Sequence, residues 1–265
     1  MSIQKYSRKP SHPVRKFFAV VVPLILLFVA IQYAVLSVMA VRKHLKELYE
    51  MEDVQLLSVG HDVDSTYFNL YKEKIWLETR FQISKTDSIS LSVDLKDSLL
   101  QLELKGVVLK SVKIQEFRYD PFFKYLNTGA YYHYFGVQAV GESALSTIEK
   151  EPLKIKKAPK DSIEFANQTH IADSVKTEAV HWLLKLDNGI VVKIEGSDTD
   201  SKSDWWMGQR FWWQQDFAGL KKDLEQTLAF KVPEYVPQIG MVISEADARA
   251  IYRALPVHPL ICIRY

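Results

Sequence analysis

The chain is poor in cysteine, glycine and proline. A single cysteine, Cys262, among 265 residues excludes an internal disulfide framework and any zinc site built from several thiolates. Ten glycines and ten prolines leave no room for a collagenous, linker-like or low-complexity region. The seven histidines are scattered without metal-ligand spacing, so no metal and no cofactor is expected. A basic body is lacking too. The formal charge is +2, but Lys5, Arg8, Lys9, Arg15 and Lys16 all fall in the first 16 residues, where there is no acid. Without those five, 29 basic residues face 32 acidic ones, a net of −3. The isoelectric point near 8.4 therefore owes much to the tail, and nothing supports nucleic acid as a partner of the body.

What is there is an ordinary globular mixture, 48% hydrophobic and 25% charged, long enough for one or two domains with a substantial core. A basic tail, 1–16, precedes a run from Phe17 to Val41 with no charged residue. As a helix this run would measure about 37 Å, enough to cross a hydrocarbon core of roughly 30 Å with some tilt. Pro23 and Gln32 interrupt it in ways a membrane helix tolerates. A cleaved signal peptide is the rival reading, with Val38-Met39-Ala40 as a cleavage-like site, but signal cores usually run only about 7–15 residues. An uncleaved transmembrane helix over 17–41 is therefore expected. The basic tail favours a cytoplasmic N-terminus and a periplasmic body, although Arg42, Lys43 and Lys46 follow the span.

Past the span, Leu45, Leu48, Tyr49 and Leu56 keep a helical period, and Lys43 with Glu47 and Lys46 with Glu50 are spaced as charge pairs. The pattern predicts a juxtamembrane helical stalk over 42–84, broken at Ser58–Val63 and resumed from a cap at Asp64 or Ser65. A self-associating stalk, giving a homo-oligomer, is the sharper alternative to a helix that simply continues into water. The stripe Phe68, Tyr71 and Ile75 is expected to pack on the domain that follows.

From Ile83 the period falls to two. Ile89, Leu91, Val93 and Leu95 alternate with Ser90, Ser92 and Asp94, which predicts a half-buried strand. Leu100, Leu102 and Leu104, then Val107–Leu109, Val112 and Ile114, continue a meander with turns at Asp97-Ser98 and Lys105-Gly106. Further strands are predicted at Leu153–Ile155, His181–Leu186 and Ile190–Ile194, the last two joined by Asp187-Asn188-Gly189. Ser244 caps a predicted helix from Glu245 to Leu255, stopped by Pro256 before a strand at Leu260–Ile263.

Two of these segments, Ile89–Gly106 and Ile243–Val257, resemble the opening hairpin and closing helix of L,D-transpeptidases, which cross-link peptidoglycan through a cysteine. The closing helix carries the similarity in Asp247-Ala248-Arg249-Ala250-Ile251-Tyr252. The match covers the two ends, about 35 residues, and not the middle. It implies a mainly β domain with flanking helices over 85–265, an L,D-transpeptidase-like β-sandwich. Active members of that family place a histidine, then S-x-G-C-I/V-R, before the closing helix. The corresponding stretch here is Pro237–Ile243, where Gly240 is followed by Met241 and Val242, and no histidine lies between His181 and His258. A thioether has no proton to lose and cannot replace a thiolate nucleophile. The resemblance therefore implies a pseudoenzyme, with Gly240, Met241 and Val242 as a degenerate nucleophile region and no catalytic residue. Cys262-Ile263-Arg264 imitates the missing motif but follows the closing helix. Its only nearby base is His258, which a strand would hold roughly 13 Å away.

Two aromatic segments remain. Trp205, Trp206, Phe211, Trp212, Trp213 and Phe217 are interleaved with Gln209, Arg210, Gln214, Gln215 and Asp216. Burying the whole set would drag polar groups into a core at a cost needing compensating hydrogen bonds. Core packing and partner contact both remain open for this segment, with Trp205, Trp206, Arg210, Trp212 and Trp213 the candidate partner or glycan contacts. The second set, from Phe117 to Phe135, either completes a core or lines a cleft. Asp198, Asp200 and Asp204 read as a solvated loop, because Lys202 stands in a ligand-like position. Lys150, Lys154, Lys156, Lys157 and Lys160 read as a solvated basic cluster, with an anionic polymer or lipid surface as the alternative.

The reading that unites these features is a single-pass protein of the bacterial inner membrane, catalytically inactive, whose periplasmic body binds peptidoglycan or scaffolds other envelope proteins. An active cysteine enzyme of peptidoglycan remodelling and an accessory subunit of a membrane complex are the alternatives.

Overall fold

The computed structural model describes residues 13–51, 65–150, 179–197 and 202–265. The strand expected at Leu153–Ile155, the helical break at Ser58–Val63, Lys154–Lys160 of the basic cluster, Asp198 and Asp200 lie outside the described residues. The chain divides into two units, Met1–Lys46 with Asp216–Tyr235, and Glu47–Gln215 with Val236–Tyr265.

The first unit contains most of helix α1 (Pro13–Met51), whose stretch Val21–Glu50 is long and apolar enough to cross a membrane. Pro23 sits inside the helix without ending it. The polar groups of this stretch find partners close by. Ser37 Oγ donates to its own helix at Tyr33 O (2.8 Å), and Gln32 Nε2 donates to Thr227 O (2.7 Å). A hydroxyl turned back onto the preceding turn costs little even in an apolar setting.

The second unit is built on a sheet. Its elements are α2 (Ser65–Ser84), β1 (Ser90–Asp94), β2 (Leu99–Leu104), β3 (Val107–Lys113), β4 (Glu116–Tyr119), a 3₁₀ turn (Pro121–Tyr125), α3 (Thr128–Phe135), β5 (Ala139–Ser146), β6 (His181–Leu186) and β7 (Val191–Gly196). Helix α4 (Lys202–Leu228), which runs on into the first unit, β8 (Gln238–Ile243), α5 (Glu245–Ala254) and β9 (Leu260–Arg264) follow. The strands form one nine-stranded mixed sheet in the order β3-β2-β1-β9-β5-β6-β7-β8-β4, with parallel pairs β1–β9 and β7–β8. Parallel neighbours cannot be joined by a tight turn, and the chain from β7 to β8 contains α4.

Local chemistry accounts for much of this. Lys105 (φ 53°) and Gly106 (φ 78°) both take left-handed backbone, the two-residue turn whose twist matches a β-hairpin. Ser244 Oγ accepts from Asp247 N at 3.2 Å, and the helix it caps buries Ala248, Ile251 and Tyr252. Trp182, fully buried on β6, donates from Nε1 to Ala248 O at 3.2 Å.

Strands β3 and β4 are consecutive in the chain yet occupy opposite edges of the sheet. Between them Ile114 N donates to Ser98 O (2.8 Å) beside β2, and Gln115 N donates to Val242 O (2.9 Å) on β8. Three Cα steps reach at most roughly 11 Å. The sheet must therefore curl until its two edges meet at this crossing.

Two expectations change. Strand β1 is buried along its whole length instead of on one face. Helix α2 covers the polar side, where its Trp76 and Ile83 pack against Cys262. The covered polar groups are paired there: Ser90 Oγ donates to Glu103 O (3.3 Å), and Arg80 bridges the Glu103 carboxylate at 2.7 Å. Second, the tryptophan-rich stretch for which the sequence suggested no element is a long helix, α4.

Candidate functional site

A cleft of about 410 Å³ opens between α2 and the sheet. Asn69, Lys72 and Glu73 come from α2, Leu95 and Lys96 from the end of β1, Phe117 and Tyr119 from β4, and Arg264 and Tyr265 from β9. Four strands separate β4 from β9 in the sheet order, so the curl of the sheet is what brings them to one cleft.

The two innermost cations of the cleft are held differently. Arg264 Nη1 bonds Asp94 (2.9 Å) and Asp97 (3.2 Å), and its Nη2 bonds Glu73. Burial pulls the Arg264 pKa down, but the carboxylates of Asp94 and Glu73 outweigh it and the net shift is upward. This guanidinium is neutralised in place. Lys72 Nζ instead stands over the rings of Phe68 (4.8 Å), Tyr265 (4.9 Å) and Tyr131 (5.2 Å). No carboxylate or other hydrogen-bond acceptor engages it among the described residues, and burial lowers its pKa. Ring faces attract a cation without removing its charge or using its N–H donors.

The wall beside Lys72 is aromatic. Tyr265 meets Tyr119 edge-on at 4.9 Å, and Tyr119 stacks on Phe117 at 6.0 Å. Burial, followed by the hydrogen bond and charge of Tyr119, pushes the Tyr265 pKa up, so its ring carries a neutral hydroxyl. A half-buried ammonium beside stacked rings suits a ligand bearing an anionic group on an apolar or planar body.

The residues singled out from sequence fall elsewhere. Gly240, Met241 and Val242 lie in β8, paired on one side with β7 and on the other with β4. Its backbone donors belong to the ladders, and Met241 is 2% exposed. A Cβ added at Gly240 would meet only Arg118 O, at 3.8 Å, so no close approach demands glycine there. Cys262 is buried under α2 with Sγ 3.6 Å from Ser92 Oγ, and burial pushes its thiol up to about 12. His258 is exposed on the loop before β9, its Nδ1 3.0 Å from Gly141 O. The thiol and the imidazole serve separate neighbourhoods.

The tryptophan segment is split by α4. Gly208 is buried so tightly that an added Cβ would stand 2.4 Å from His181 Nε2. Trp212 is half-buried, edge-on to His181 (5.9 Å) and Phe211 (4.9 Å), with Lys193 over its ring. Trp206 and Trp213 are 68% and 72% exposed, and Arg210 is exposed as well. The side chains of Trp205 and Asp204 lie outside the described residues. The second aromatic set divides likewise: Phe122, Phe123, Tyr131, Tyr134 and Phe135 are core, while Phe117 and Tyr119 line the cleft. Lys150 donates to Leu255 O (2.9 Å) and Pro256 O (3.0 Å), a structural task at the end of α5. Among the described residues no group of three metal-ligating side chains converges.

Sequence reasoning passed over Lys72, Asn69 and Glu73, and weighed Arg264 only as part of Cys262-Ile263-Arg264. A lysine four residues after Phe68 hints at a shared helix face, but nothing in the sequence pairs α2 with the last strand. No family model, no curated protein and no solved structure matches the chain. What fold and site define is a curled mixed sheet with an aromatic, cationic cleft, in a chain with one helix, among the described residues, apolar enough to cross a membrane.

Proposed function

We propose that the protein is a membrane-anchored, non-catalytic binding module of the bacterial envelope, whose periplasmic body grips carboxylate-bearing peptidoglycan in the cleft at Lys72. The observation that carries this reading is the Lys72 ammonium, held by three ring faces, without an acceptor among the described residues, and open to a 410 Å³ cleft. A carboxylate of a peptide stem would supply the missing acceptor, and Phe117 and Tyr119 would cover its apolar body. The resemblance to L,D-transpeptidases supports peptidoglycan as the polymer, with the curled sheet as a degenerate form of that family's sandwich. A binding role is supported by the strand at Gly240–Val242, paired on both sides with Met241 buried, and by the high pKa of Cys262. The basic residues before the apolar run that starts at Phe17 support an inner-membrane protein with its N-terminus in the cytoplasm.

The test is sedimentation of the full chain, solubilised in mild detergent, with purified sacculi. The parent protein is expected to pellet, Lys72→Arg to pellet comparably, and Lys72→Gln to lose at least tenfold in affinity, the loss of one charge-assisted contact. A parent chain that stays in the supernatant would overturn the peptidoglycan reading. Peptide-bond turnover abolished by Cys262→Ala would overturn the non-catalytic one.

A further inference from the structure

Helix α2 has two faces. Ile75, Trp76, Thr79 and Ile83 are buried against the body, and Lys72 shares their side of the helix. On the opposite side Tyr67, Leu70, Lys74, Leu77 and Phe81 follow one another at alternating steps of three and four residues, and all five are exposed. Such steps keep side chains on one face of a helix. Exposure of the four apolar ones runs from 45% at Tyr67 to 65% at Leu70. The turn between β2 and β3 meets the end of this helix, where a Cβ added at Gly106 would stand 3.1 Å from Ser84 Cβ. The strand leaving that turn adds Val107, Val108 and Leu109, which are exposed too. Large apolar side chains left in water at this density, all within one unit, mark a contact surface.

We propose that this face of α2, with the tip of the β2–β3 hairpin, lies on the surface of a lipid bilayer, its apolar side chains in the boundary between headgroups and acyl chains. The length of the chain argues for lipid. Thirteen residues separate Met51, where α1 ends, from Ser65, where α2 begins, and so short a stretch reaches at most roughly 50 Å. With Val21–Glu50 crossing a membrane, α2 is tethered near a lipid surface, which raises the effective concentration of that surface. The makeup of the stripe agrees. Interfaces between proteins are depleted in lysine, yet Lys74 stands in the middle of this one and Lys85 lies over the Phe81 ring at 4.5 Å. At a bilayer such long stems lie along the apolar boundary and put their ammonium groups among the phosphates. Glu78, the acid beside the stripe, is matched by Lys74 at 3.7 Å. Tyr67 has the amphipathic ring favoured at that depth. Lipid on this side leaves Lys72, on the other, open to its cleft. The contact requires α1 to be a membrane anchor and needs nothing from the ligand of the cleft.

The experiment uses the full chain reconstituted in bilayers of phosphatidylethanolamine and phosphatidylglycerol, with single cysteines spin-labelled in a Cys262→Ala background. Oxygen, which concentrates in lipid, and a water-soluble nickel chelate report the surroundings of each label. Val35→Cys, on α1, reads the anchor, and Val257→Cys, exposed on the loop before β9, reads the aqueous body. Labels at Leu70→Cys and Phe81→Cys should show an oxygen-to-nickel ratio at least about fivefold above that at Val257→Cys. Adding Leu77→Glu and Phe81→Glu to the Leu70→Cys chain should return its ratio to the Val257→Cys value. Thermal melting should stay unchanged, since both replaced side chains are exposed. Labels at 70 and 81 as open to nickel as the one at 257, with the one at 35 in lipid, would overturn the proposal and leave the anchor standing. Labels at 70 and 81 shielded from both reagents, the mark of a protein partner or a second copy, would overturn it too. A label at 35 open to nickel would remove the anchor and this contact together.

Discussion

Arg264 and Lys72 line one cleft and carry the same charge, yet the protein treats them in opposite ways. Arg264 is clamped by Asp94, Asp97 and Glu73, so its charge is used up in joining α2 to β1 and β9. Lys72, on the same helix as Glu73, meets aromatic faces and no carboxylate among the described residues. A neutralised guanidinium builds structure. An ammonium desolvated without a counter-ion costs stability, and such a cost makes sense when a ligand repays it.

The largest expected effect tests the structural half of this contrast. Arg264→Leu should destabilise the body by about 3 kcal/mol, because Asp94 is left buried without its cation. Lys72→Leu should change stability by less than about 1 kcal/mol in either direction, since a buried charge is exchanged for an apolar side chain. Thermal or denaturant melting of both variants checks this, and equal losses would erase the distinction. Removing the thiol comes next. Cys262→Ala should cost about 1 kcal/mol through lost packing against Trp76 and Ile83 and leave sacculus binding unchanged.

The smallest effect is a pair of opposed pH slopes. Burial holds the folded-state pKa of Lys72 below its ordinary 10.5, so the unfolded chain binds that proton more tightly. The stability contribution of Lys72 should therefore rise as pH climbs from its folded pKa towards 10.5, where the buried charge is shed. Anion binding should weaken over the same window, because the ammonium is what the ligand needs. The check is the difference between the parent and Lys72→Gln in melting and in sacculus binding. Slopes of the same sign would mean that Lys72 does not meet the ligand.

Where signals are local, the sequence is readable. The alternation in Leu91 and Val93, the turn at Lys105-Gly106 and the Ser244 cap each involve residues within a few positions of one another, and each gives the element that the structure contains. Helix α4 escaped that reading for a physical reason. Aromatics fall on both of its faces, Trp212 towards His181 and Trp213 towards solvent, so the apolar pattern surrounds the helix instead of striping it. The cleft was less legible still. Glu73 and Arg264, which help build it, stand 191 positions apart.

The apolar helix, the strands of the meander, the capped closing helix and the lack of a cysteine at Gly240–Val242 can all be read along the chain. Each depends on composition or on neighbours along the chain. Which polar residues go inside and which charges stay available depends on contacts between distant parts of the chain. Ser90, Ser92 and Asp94 read as a solvent face, and became buried when α2 lay across them. Whether a lysine becomes half of an ion pair or the mouth of a site depends on what other strands bring within a few ångströms. That proximity is set by the curl of the sheet and the path of the chain, and local propensity carries no record of it.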